Sequence, residues 1–126
     1  MKYVQTDKAP SAIGPYSQAV SVNGMVYTSG QIALLENGSD ELLFKDVSIQ
    51  TQKVLENLEA VLEASGSSMQ NVVKTTIFLA NMDDFVTVNK IYEKAFSSHK
   101  PARATVAVKT LPKNALVEID AIALLK

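Results

Sequence analysis

The chain has 126 residues, of which 47% are apolar, 20% charged and 6% aromatic, and twelve basic side chains stand against thirteen acidic ones for a formal net charge of −1. That length suffices for one core burying about two thirds of the unfolded chain's surface without metals or disulfides, so a single domain over residues 1–126 is expected. The charge balance leaves no basic surplus for generic nucleic-acid binding, the absence of cysteine removes disulfides, zinc–thiolate sites and thiol nucleophiles, and no stretch reaches the roughly 20 apolar residues that span a bilayer.

Met1–Lys8 has no apolar signal core, so the expected compartment is the cytoplasm. Two short strands, Ala19–Val22 and Met25–Ser29, flank Asn23-Gly24, whose residues both tolerate positive φ and therefore favour a tight hairpin. Between Asp46 and Ser65 the residues Val54, Leu55, Leu58, Val61 and Leu62 fall at helical spacing and make one apolar stripe. Asp46 can cap this helix and Gly66 can supply the left-handed residue that ends it. Val72–Ala80 reads as a strand with apolar or β-branched side chains on both faces, Val73, Thr75, Ile77 and Leu79 alternating with their neighbours. A second helix, Asp84–Ser98, has Phe85, Val88, Tyr92, Ala95 and Phe96 at helical spacing, Asp83 or Asp84 to accept its first N–H groups, and Pro101 to bar continuation. Arg103–Lys109 and Leu116–Leu124 read as closing strands joined in a second hairpin by Thr110–Ala115. This order predicts an α+β fold, a mixed sheet with two helices on one face. Apolar material on the other face then needs cover from another subunit.

Elimination narrows the chemistry. The one histidine, His99, has no thiol or second imidazole to complete a metal site, and at the end of the second helix it suits a structural role. The glycines are scattered among turns and form no phosphate-binding signature. Asp83-Asp84 sits where caps belong, and Glu118 and Asp120 alternate along a strand, so both carboxylate pairs read first as structural or solvated. Arg103 differs: it is the only arginine, set among the small and apolar neighbours of Pro101-Ala102-Arg103-Ala104-Thr105-Val106. Its planar fork serves an ion pair or a substrate carboxylate equally well. Glu118, in the middle of the apolar Leu116–Ile122 run, is its natural companion. If Ala107 faces Glu118 across a hairpin, Arg103, Thr105 and Glu118 share one face, whereas a one-residue slip separates them. Even on one face, four residues of strand, roughly 13 Å, argue against a direct ion pair within one chain.

With these residues in hand, the chain resembles the RidA reactive intermediate deaminases of the YjgF type, also called L-PSP endoribonucleases. Six ordered blocks carry the likeness: Ala12-Ile13-Gly14-Pro15-Tyr16-Ser17-Gln18-Ala19, Thr28-Ser29-Gly30-Gln31-Ile32, Gln52–Leu58, Val73-Lys74-Thr75-Thr76, Met82–Asn89, and Pro101-Ala102-Arg103 followed by Leu111-Pro112-Lys113 and Val117-Glu118-Ile119. The resemblance implies a chorismate-mutase-like fold, assembled as a homotrimer with its sheets facing inward and its ligand sites between subunits. It implies hydrolysis of enamine and imine intermediates, such as 2-aminoacrylate or 2-aminocrotonate, to 2-oxo acids and ammonia, without a cofactor or metal. On the matching positions Arg103 would hold the substrate carboxylate and Glu118 would position water. Tyr16, Ser29, Gly30 and Asn89 would line the pocket, with Phe85 at its apolar wall. Thr105 would offer a hydroxyl where many members carry cysteine.

The same cleft also suits a non-catalytic module that senses a small carboxylate, and turnover of freshly generated 2-aminoacrylate separates the two readings. The ribonuclease of the family's older name fits poorly, because the charge balance and lone histidine supply no acid–base pair for phosphodiester cleavage.

Overall fold

β1 (Lys2–Val4), a strand of three residues too short to stand out in the sequence, opens the sheet of the computed structural model, which describes residues 1–126. Asn23 (φ 51°) and Gly24 (φ 78°) both take left-handed backbone and close β2 (Ala19–Val22) onto β3 (Met25–Thr28) with Val22 opposite Met25, as the dipeptide predicts. α1 (Val47–Ala64) starts where the Asp46 carboxylate accepts from the Ile49 N–H at 3.0 Å. It ends in left-handed Gly66 (φ 85°), with the Ser67 N–H donating to the Leu62 carbonyl at 2.9 Å. The stripe of Val54, Leu58, Val61 and Leu62 is fully buried.

The second helix departs from expectation at both ends. β4 (Val72–Leu79) leads through a short 3-10 turn, Met82–Asp84, into α2 (Phe85–Phe96). Neither Asp83 nor Asp84 caps it: the Asn81 side chain accepts from the Asp83 N–H at 2.9 Å, so the preceding turn takes the cap. The helix stops at Ser97 (φ 57°), because left-handed backbone cannot extend the ladder, and Pro101 plays no part in the stop. His99 then donates from Nε2 to the Val72 carbonyl at 2.7 Å, tying the loop to the start of β4. A carbonyl only accepts, so Nε2 carries the proton.

The larger correction concerns the closing strands. β5 (Ala102–Ala107) and β6 (Val117–Leu124) do not pair with each other; the sheet order is β1-β2-β3-β6-β4-β5. After β4, helix α2 returns the chain to run β5 parallel to β4 as a βαβ unit, and the loop beyond β5 crosses the end of β4 so that β6 lies antiparallel on its other side. The crossing is held by the Val108 N–H on the Leu79 carbonyl (2.9 Å) and the Ala80 N–H on the Leu116 carbonyl (3.1 Å).

β4 therefore sets both registers. Thr75 pairs with Arg103 and Ala121, while Phe78 pairs with Val106 and Glu118. Thr75, Ile77 and Leu79 are buried under the helices with Val117, Ile119, Ala121 and Ala123. Arg103 and Thr105 belong to this helix-covered face; Glu118 belongs to the opposite one. The shared face expected from a β5–β6 hairpin does not exist, because the registers through Thr75 put Arg103 in line with Ala121, an odd number of residues from Glu118. A bulge between Val72 and Lys74 also moves the expected alternation: Val72 is buried and Val73 is 43% exposed. The uncovered face remains apolar, with Tyr3, Tyr27, Val106 and Leu124 exposed to solvent in the single chain. No helix is long and apolar enough to cross a membrane.

Candidate active site

Glu118 projects from the central strand β6 into a cavity of about 560 Å³. Gln31 builds one wall by bridging to Ile119, its N–H donating to the Ile119 carbonyl (2.9 Å) and its carbonyl accepting the Ile119 N–H (3.2 Å). That bridge brings Gly30 against Glu118. A Cβ on Gly30 would lie 2.7 Å from the Glu118 carboxyl carbon, so the residue is glycine because the carboxylate occupies the space of a side chain. Ser29 Oγ donates to the Ser17 carbonyl at 2.5 Å, and the Ser29 N–H donates to the Gln18 carbonyl at 2.9 Å. Tyr16 also lines the cavity, its hydroxyl accepting from the Ile13 N–H at 3.3 Å. Burial, and after it the neighbouring Asp120, raises the Glu118 carboxyl above its ordinary value.

Gln18, whose place in the Ala12–Ala19 block gives no sign of a separate role, is the staple of this wall. Its buried amide accepts from the Thr6 N–H (2.7 Å) and donates to the carbonyls of Thr6 (3.1 Å) and Pro10 (2.8 Å), holding the segment that carries Tyr16. The available signal was chemical: a glutamine amide buried just before β2 has to find backbone partners.

Arg103 lies elsewhere. Its Nη1 donates to Asn89 Oδ1 at 2.7 Å, and its guanidinium carbon sits 4.9 Å from the Tyr92 ring centre and 5.7 Å from that of Phe85. The ion pairs of the chain involve Lys53 with Glu36 and Glu56, so Arg103 has no carboxylate partner. A neutral amide and two aromatic faces orient the fork without cancelling its charge, which favours the carboxylate-binding reading over the ion pair. Tyr92, missed in the sequence because it reads as a core position, is fixed by a 2.6 Å hydrogen bond between its hydroxyl and Thr75. Burial raises its phenol above the ordinary value. Thr105 Oγ1 is buried without a hydrogen-bond partner.

The candidate residues thus fall into two groups. Tyr16, Ser29, Gly30 and Glu118 gather around one cavity, and Phe85, Asn89, Arg103 and Thr105 gather at the junction of α2 and β5. One chain does not bring the groups together, since its own sheet lies between them. No three His, Asp or Glu side chains converge as a metal-ligand set.

Comparison with known proteins agrees in sequence and fold. The family model described as Endoribonuclease L-PSP matches residues 6–125. Mouse 2-iminobutanoate/2-iminopropanoate deaminase is 48% identical over 122 residues, covering 97% of this chain and 90% of the mouse protein. Chloroplastic Reactive Intermediate Deaminase A of Arabidopsis thaliana is also 48% identical, over 97% of this chain and 65% of the plant protein. A crystal structure of E. coli TdcF with bound serine superposes with a TM-score of 0.92 at 39% identity, covering 100% of both chains.

Proposed function

The chain belongs to the Endoribonuclease L-PSP family, which includes RidA and the imine deaminases, and from that premise we propose that it hydrolyses small 2-imino acids, such as those derived from 2-aminoacrylate and 2-aminocrotonate, to 2-oxo acids and ammonia. The observation that carries this reading is the unneutralised Arg103 fork, oriented by Asn89 and the two aromatic rings. It matches the carboxylate that every such substrate carries.

Two half-sites on opposite faces require two chains. In the proposed homotrimer the uncovered apolar face packs against a neighbour, and the Arg103 group of one subunit meets the Glu118 cavity of the next. Arg103 holds the carboxylate and thereby presents the adjacent imine carbon to water beside Glu118. The water oxygen bonds to the carbon of the protonated imine while one water proton passes to the Glu118 carboxylate, giving a neutral carbinolamine. Glu118 returns that proton to nitrogen, the C–N bond breaks with ammonia departing, and the hydroxyl gives its proton to the Glu118 carboxylate as the C=O bond forms. Ser29 and Tyr16 line the water side, Phe85 forms the apolar wall, and the spare Thr105 hydroxyl contacts the substrate.

The test is ammonia and 2-oxo acid release from freshly generated 2-aminoacrylate. Release faster than in buffer, abolished in an assembled Glu118→Gln protein, supports deamination; release at the buffer rate overturns it. A second reading, a sensor of small carboxylates using the same cleft, draws on the serine-bound TdcF structure, since serine has the carboxylate but no imine carbon to attack. Tight binding of 2-oxo acids with no turnover would favour that reading.

A further inference from the structure

A second hollow lies on the outer side of the helices, away from the candidate site. A groove of about 510 Å³ runs between α1 and α2, with Leu55, Met69, Ile91 and Ala95 supplying its apolar surface. Ala95 has the helical spacing of a core residue yet is exposed, because it borders this groove and not the core. Gln52, Glu56 and Ile91 also border a neighbouring hollow of about 360 Å³ that reaches Leu42 and Ile49. The two form one trough.

Charge is sorted across it. Glu56 and Glu59 of α1 line one side, and Lys90 and Lys94 of α2 line the other. Each row sets like charges three or four residues apart, a spacing at which they repel and cost the helix stability. The chain does not recover that cost: Glu56 reaches only Lys53 on its own helix, at 3.8 Å, and Glu59, Lys90 and Lys94 form no ion pair. Opposite charges that never meet across an apolar floor suit an occupant lying between them.

We propose that this trough is a docking site for an amphipathic helix of a partner protein, its apolar stripe on the floor, its basic flank against Glu56 and Glu59 and its acidic flank against Lys90 and Lys94. Backbone accounting selects a helix. Both walls are helices whose N–H and C=O groups are bonded within α1 and α2, so the trough offers no free row of them to an extended strand, whereas a helix satisfies its own. The trough also lies on the helix side of the sheet, opposite the uncovered apolar face, so packing that face against other subunits leaves it open. The proposal stands apart from the deaminase reading and neither needs the other.

The probe is a synthetic peptide of roughly 18 residues, long enough to hold a helix, with leucines at helical spacing, lysines along one flank and glutamates along the other. Titrated against the assembled protein by fluorescence anisotropy, it should bind on the order of tenfold more tightly than peptides with the same stripe and lysine on both flanks or glutamate on both. Equal binding of the three, or binding of none, overturns the proposal. Lys90→Glu and Lys94→Glu together make both walls acidic and should move the preference to the lysine-flanked peptide; an unmoved preference overturns it too. Ala95→Tyr, which fills the floor from an exposed position, should abolish binding in a protein that still assembles, and binding that survives it places the peptide elsewhere. Sedimentation of the protein alone tests the remaining occupant: association of assemblies with one another that Ala95→Tyr removes would give the trough to a second copy of this chain and overturn the partner helix.

Discussion

Arg103 and Glu118 are both charged residues in apolar strands, and the fold treats them in opposite ways. Arg103 stands on edge strand β5, where α2 supplies a neutral amide at 2.7 Å and two aromatic faces, so its charge is preserved and its fork is aimed. Glu118 stands on an interior strand, pressed against Gly30 with an acidic neighbour, so its charge is made costly. One environment favours gripping an anion; the other favours exchanging a proton. The two charges also lie on different sides of the same sheet.

The largest expected effect breaks this comparison apart by mixing. Arg103→Ala and Glu118→Gln proteins should each be inactive, yet subunits unfolded together and reassembled should regain about one quarter of parent activity, since each site needs one intact residue from each of two neighbours and each is present half the time. No recovery in a confirmed mixed assembly would place both residues of a working site in one subunit. Arg103→Lys keeps charge but loses the fork, and calorimetry with a 2-oxo acid should show binding weakened by about 1–3 kcal/mol, with turnover falling alongside.

Smaller effects probe how each half is held. Gln18→Leu leaves the Thr6 N–H and the Pro10 carbonyl without partners, so denaturant unfolding should show a loss of about 1–3 kcal/mol. An unchanged midpoint would mean that the staple is dispensable. The finest test is the pH dependence of stability in Glu118→Gln. Because burial raises the folded carboxyl above its ordinary 4.5, the parent folds with full benefit below that value and loses stability as pH rises through the folded pKa. Glutamine removes the titration, so the variant should melt higher than the parent at about pH 8, with the gap closing towards pH 4. A gap independent of pH would assign the difference to packing.

Much of this was legible because it is local. The hairpin follows from Asn23-Gly24, the limits of α1 from Asp46 and Gly66, and its buried face from five apolar residues at helical spacing; each signal acts within a few residues of where it is written. The candidate site was legible as a set of names, through the resemblance carried by six blocks, and the aromatic frame of Arg103 was not, since Tyr92 has the same spacing as any core residue of α2. The α2 cap shows how near the limit lies: three capping residues stand together in Asn81, Asp83 and Asp84, and which one acts depends on a 3-10 turn that periodicity does not reveal.

What the sequence by itself determined is the two helices, the five longer strands, the class of fold and the two charged residues that break apolar strands. What only the tertiary structure decided is which strand lies beside which. Thr110–Ala115 is compatible with a hairpin, but α2 first returns β5 alongside β4, and β6 then takes the opposite edge of β4, where its apolar residues complete the core. Strand order is settled by contacts between residues far apart in the chain, and a strand's side chains alternate with a period of two. The registers through β4 put Arg103 in line with Ala121 and thus on the face opposite Glu118, and register between distant strands is written in neither strand alone.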